Sequence, residues 1–82
     1  MSEVKIVVLH RGWVVVGDYS VDGEEVVVSN ASVFRRWGTT KGLGELAIHG
    51  KLKDTVLDPC NTVRANKLAV IMTLDCAQDK WK

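Results

Sequence analysis

Apolar residues alternate with polar ones, or stand on both sides of a two-residue period, along the early part of the chain, as in pleated strands. From Val4 to Leu9, Val4, Ile6 and Val8 fall on one face and Val7 and Leu9 on the other. Apolar positions on both faces suit a strand inside a closed barrel or at an interface. His10-Arg11-Gly12 interrupts the pattern, and Trp13 to Ser20 reads as a second strand. Its Trp13, Val15, Gly17 and Tyr19 share one face; Val14, Val16 and Asp18 share the other. Asp22-Gly23 then signals a hairpin, because a type I′ turn needs positive φ at both central residues. The return strand is expected over Glu25 to Ser29, with Val26 and Val28 inward and Glu25, Val27 and Ser29 outward.

The middle breaks this rhythm. Gly38, Gly42 and Gly44 stand within seven residues and oppose any regular element there. Leu43, Leu46 and Ala47 follow an i, i+3, i+4 spacing, so a short helix is expected over Glu45 to His49 with Gly50 as its stop. Alone it is too short to be stable and must dock on the sheet. Thr55 to Leu57 and Thr62 to Arg64 read as short strands around an Asp58-Pro59-Cys60-Asn61 turn, with Pro59 at its second position. Leu68 to Leu74 is the last strand, and Asp75 to Lys82 a helical tail carrying Trp81.

Composition sharpens the fold class. Valine fills 14 of 82 positions and proline only one. Valine loses rotamer freedom in helices and packs well on a pleated surface, so the chain is mainly β. The expectation is one domain over residues 1–82, a small SH3/Sm-like barrel of five to six strands with one short helix. A domain of this size buries only about 60% of its unfolded surface, which makes a homo-oligomer an expected state. Lys plus Arg is 11 against 10 for Asp plus Glu, a net charge of +1 that excludes a strongly basic nucleic-acid arm. No apolar run approaches the length of a membrane span. The opening Met1-Ser2-Glu3-Val4-Lys5 is charged and reads as structure, and Cys60 and Cys76 form no obvious staple; both suit a reducing, cytoplasmic location.

Two resemblances bear on these elements. Ala31, Trp37, the run Leu43-Gly44-Glu45-Leu46-Ala47 and Gly50, with a late strand through Ile71 and Leu74 to Cys76, resemble a family of small uncharacterised proteins encoded mostly by phages and prophages. Arg35 and Arg36 stand where other members carry aromatics. The resemblance implies a phage setting, and hence the host cytoplasm, but no activity. Val7-Val8-Leu9, Gly12, Gly17, Asp22 and Val26-Val27-Val28 are spaced similarly to the first motif of Sm-like and related SH3-type barrels. The Arg-Gly pair of the second Sm motif is missing, so the similarity implies strand order and not RNA binding.

The chemistry-bearing stretch is 35–44. A glycine-rich loop entering a helix turns backbone N–H groups toward one point, and a helix start adds positive potential. Arg35, Arg36 and Lys41 supply cations, Thr39 and Thr40 hydroxyl donors, and Trp37 a flat face for a base. The Walker spacing is not met, since Gly38 and Gly42 are too close and no Lys-Ser/Thr follows the last glycine. The competing reading is a surface loop with Trp37 in the core and the arginines solvated. Trp13 reads as a core or interface anchor, and Trp81 as a subunit contact or a lid.

Catalysis has little to draw on. His10 and His49 could meet Cys60 or Cys76 only through the fold, and no Cys-x-x-Cys supports a metal site. Both cysteines read as small buried hydrophobes. The expected function is therefore a non-catalytic binding protein without a cofactor, holding a phosphorylated nucleotide such as an immune signalling nucleotide on the 35–44 loop. Two alternatives stand beside it: a structural or protein-interaction accessory of a phage, and an Sm-like nucleic-acid binder using the local cations Arg35, Arg36, Lys41, Lys51 and Lys53.

Overall fold

The computed structural model describes residues 3–38 and 42–81. Among these, five strands form one antiparallel sheet: β1 (Glu3–Leu9), β2 (Val14–Asp22), β3 (Glu25–Arg36), β4 (Val56–Asn66) and β5 (Val70–Asp75). Their order across the sheet is β4-β3-β2-β1-β5. Helix α1 (Leu43–His49) lies between β3 and β4 in the chain, and the single turn α2 (Gln78–Trp81) follows β5. The mainly β class, the short helix and the helical tail all follow the expectation.

The first connection runs through Arg11 (φ 65°) and Gly12 (φ 79°) and closes with the Leu9 N–H donating to the Trp13 carbonyl at 2.7 Å. The β2–β3 hairpin falls one residue later than expected. Asp22 pairs with Glu25, so Gly23 and Glu24 form the two-residue loop. Only Gly23 takes a positive φ there, the signature of a II′ turn rather than I′.

Residues of opposite parity feed two apolar clusters. Val4, Ile6, Val14, Val16 and Phe34 face one way and are roofed by Leu46 and Ala47 of α1, by Cys76 and by Trp81. Val7, Val15, Val26, Val28 and Ala31 face the other way, with Leu9, Tyr19, Val33, Val63 and Val70 around them. Among the described residues this second cluster contains only strand residues, so what covers it there is the sheet itself. Only Lys67–Ala69 separate β4 from β5, although these two strands form opposite edges. Four Cα–Cα steps reach at most about 15 Å, less than the roughly 19 Å that four strand spacings span in a flat sheet. The sheet is therefore strongly coiled.

Coiling stops short of closure. No register pair joins β4 to β5 among the described residues, so the sheet remains open and the expected closed barrel is not formed. The bend comes from bulges, which raise local twist. At the main one, Asn30 (φ 49°) and Ala31 stand against the single residue Gly17. A Cβ on Gly17 would lie 2.7 Å from the Ser29 carbonyl oxygen, so the close approach needs glycine. This bulge also lets β3 continue to Arg36, well past the Ser29 limit read from the sequence.

A second correction concerns the expected Asp58-Pro59-Cys60-Asn61 turn. Those residues lie inside β4, paired to β3 through Asp58↔Val33 and Pro59↔Ser32, with a bulge beside Asn61 (φ 62°). Proline is tolerated because β4 is an edge strand, where a missing N–H breaks no ladder on the open side. The last strand likewise starts at Val70; Leu68 belongs to the preceding turn, its N–H donating to the Asn66 side chain at 2.9 Å.

The C-terminal segment fastens the helical roof to the sheet. Gln78 acts as a substitute strand residue: Val4 N–H donates to its Oε1, and its Nε2 donates to the Val4 carbonyl, both at 2.9 Å. Ala77 N–H donates to the Ala47 carbonyl at 2.8 Å, and Trp81 Nε1 to the Leu46 carbonyl at 3.0 Å. The Trp81 ring meets Phe34 edge-on, centroids 6.2 Å apart.

Candidate functional site

At the end of β3, Phe34 pairs with Leu57 and Arg36 with Val56, which leaves Arg35 as the extra residue of a bulge. Bulges re-aim side chains. Here Arg35, Arg36 and Val56 line one shallow depression of about 340 Å³. Arg35 Nε lies 3.3 Å from Asp58 Oδ2, both side chains more than half exposed. An ion pair so open to water contributes about 0–1 kcal/mol and opens easily. Arg36 makes no ion pair among the described residues.

Trp37 follows directly and is 41% exposed, so the reading that tucks it into the core does not hold. Its backbone is nonetheless fixed. The Thr55 hydroxyl donates to the Trp37 carbonyl at 2.6 Å and accepts from the Leu52 N–H at 3.1 Å. Gly38 (φ 65°) packs against the Asp54–Thr55 peptide so closely that a Cβ would sit 2.4 Å from the Asp54 carbonyl carbon. Thr55 is the buried polar residue that latches the start of the loop to the chain before β4. The far end is held where Leu43 packs on the helix-covered cluster.

Of the expected site residues, the fold therefore brings Arg35, Arg36 and Trp37 together on one exposed strand end; Thr39, Thr40 and Lys41 lie outside the described residues. Helix α1, at seven residues and with no side-chain cap at Gly42, lends the loop little dipole. Lys51 and Lys53 are exposed on the connection after α1. Sequence reasoning missed the contacts of Thr55 and Asp58. The first was read as the start of a short strand and the second as part of a turn, and neither reading points to a partner on the 35–38 segment.

Trp13 is 58% exposed, outside the core. Of the two cysteines, only Cys76 is buried; Cys60 is exposed on the edge strand, its Sγ donating weakly to the Ala31 carbonyl at 3.5 Å. Burial pushes the Cys76 thiol up to about 11, with the Asp75 charge adding to the rise and a backbone hydrogen bond at Ile6 opposing it. A thiol held neutral in this way is a poor nucleophile. His10 and His49 are exposed, and no hydrogen bond joins either to a cysteine among the described residues. Nor do three His, Cys, Asp or Glu side chains gather there as a metal site. Among the described residues no helix is long and apolar enough to cross a membrane.

Comparison with known proteins finds no family model and no curated relative that matches the chain.

Proposed function

We propose that this protein is a non-catalytic binding module that captures a phosphorylated nucleotide at the strand end and loop 35–44. Arg35 and Arg36, with Lys41, meet the phosphates, Thr39 and Thr40 add hydroxyl donors, and Trp37 stacks on the base. The observation that carries this reading is the exposed Trp37, its backbone pinned by Thr55 and Gly38, directly beside two arginines that open onto one depression. A solvated indole on a fixed backbone is a stacking surface that loses little freedom when a base arrives. Guanidinium groups match phosphate oxygens two at a time. The resemblance to phage-encoded proteins makes a nucleotide messenger of host immunity the fitting cargo. Holding such a messenger needs affinity and no turnover, in the host cytoplasm, by a homo-oligomer whose neighbouring subunit completes the loop.

The test is a thermal-shift and calorimetric screen with mono-, di-, cyclic and ADP-ribose-type nucleotides. A ligand at about a hundred times its Kd stabilises the fold by roughly 2.7 kcal/mol. The expected result is a shift confined to one nucleotide class and lost in Arg36→Ala, each charged hydrogen bond contributing about 1.5–3 kcal/mol. Cooperative melting with no shift in any nucleotide would overturn the reading.

A second reading, a structural or protein-interaction accessory, is favoured by Trp13, Leu68, Ile71 and Met72. All four are large apolar side chains more than half exposed, and the last two lie on the edge strand β5. Under that reading Arg36→Ala leaves activity intact. Binding to short single-stranded RNA or DNA that falls steeply with salt would instead select the nucleic-acid reading.

A further inference from the structure

The helix-covered face is incompletely filled. Where β3 bulges at Asn30–Ala31 against Gly17, a half-open cavity of about 320 Å³ remains beneath Trp81. Val16 and Leu57 give it apolar walls, and Asp18, Asn30 and Ser32 give it polar ones. Trp81 Nε1 is already spent on the Leu46 carbonyl, so the indole offers this space its ring surface rather than a donor.

Asp18 is the group that needs explaining. It is half-buried, and among the described residues its carboxylate has no ion-pair partner. Its hydrogen bond from Asn30 Nδ2 is long, at 3.5 Å. Lys5, next to the residue that pairs with Asp18, does not serve it: its ammonium lies 3.3 Å from Asp75 and 5.0 Å from the centre of the Tyr19 ring. A carboxylate with no counter-charge and a single long hydrogen bond is free to take a cationic partner. A carboxylate, an indole surface and apolar walls around one space are the parts that recognise an organic cation.

We propose that this cavity binds a small alkyl cation, an ammonium or guanidinium ion with a short carbon chain. The charged end rests on Asp18 with the Asn30 and Ser32 oxygens beside it, and the chain lies along Val16 and Leu57 under Trp81. The site is separate from the arginine depression. Leu57 lines one and its strand neighbour Val56 the other, and neighbours in a strand point to opposite faces.

The test is a titration of the isotopically labelled protein with n-butylguanidinium chloride, followed by amide and indole shifts, at constant ionic strength. Saturable shifts at Asp18, Asn30, Ser32 and the Trp81 indole are expected, and Asp18→Asn should weaken binding about tenfold or more. Neutral n-pentanol should bind far more weakly. Should Asp18→Asn not fold, Ser32→Leu, which fills the space and keeps the carboxylate, is expected to abolish the same shifts. The proposal is overturned by shifts that do not saturate or lie elsewhere. Equal binding of pentanol, or unchanged affinity in a folded Asp18→Asn or Ser32→Leu variant, overturns it as well.

Discussion

β1 and β4 belong to one sheet and are held in it by different forces. β1 runs between β2 and β5, with Ile6 and Val7 fully enclosed on its two faces. β4 is four residues longer, yet none of its side chains is fully buried; only Leu57, Val63 and Ala65 are half-covered. Burial decides the position of β1, because a shift of one residue would exchange the two clusters. β4 is placed mainly by its backbone ladder to β3, which runs from Glu25↔Asn66 to Arg36↔Val56. The difference has a functional side. The candidate anion site lies at the end of that β3–β4 ribbon, where Thr55 and Gly38 fix the backbone while Arg35, Arg36 and Trp37 stay exposed.

The sharpest way to break this comparison is a matched pair of truncations. Ile6→Ala removes a side chain with no exposure at all and should cost about 3–4 kcal/mol. Val63→Ala, on the half-covered face of β4, should cost about 1 kcal/mol. Urea denaturation of both variants reads the difference as a change in midpoint at constant slope. Equal losses would mean that β4 carries as much of the packing as β1.

A smaller and pH-dependent effect sharpens the same contrast at the two cysteines. Cys76 sits under the helical roof with its thiol raised from 9.0 to about 11, while Cys60 lies open on β4. Between those two values the unfolded chain releases the Cys76 proton and the folded chain keeps it. The Cys76 contribution to stability is therefore complete below pH 9 and is lost progressively above it, by at most about 1.4 kcal/mol per pH unit, up to the folded value. Thermal melts from pH 8 to 10.5 should show this slope, and Cys76→Ala should remove it at a small cost in packing. Cys60→Ala should leave the slope in place.

The same division explains what was legible from the sequence. Val4 to Leu9 and Trp13 to Ser20 announced themselves because two-sided burial writes a dense apolar code. The short helix was readable from Leu43, Leu46 and Ala47, which the fold does use as a roof. That the coiled sheet stays open was not readable. Its curvature depends on bulges at Gly17 and Asn61, which leave no periodic mark, and its edges on a pairing that no local pattern records. The arginine pair and Trp37 were visible as residue types, but their shared depression depends on the Arg35 bulge, and the latch depends on Thr55, a lone polar residue that only the folded contact makes meaningful.

The misread turn at Pro59 yields the finest test. If β4 is an edge strand through Pro59, the proline nitrogen lies on the unpaired side, and Pro59→Ala disturbs no contact. Its cost should then be about 0.5 kcal/mol, arising from the greater freedom of the unfolded chain. The amide that the substitution creates should exchange with solvent as fast as an unstructured peptide, while the amides of Ile6 and Val7 stay protected to near the global stability. A protected amide at position 59, or a loss near 2 kcal/mol, would show that something covers this edge. A covered edge would mean that β4 is paired on both sides, the strand being completed by a neighbouring copy of the chain.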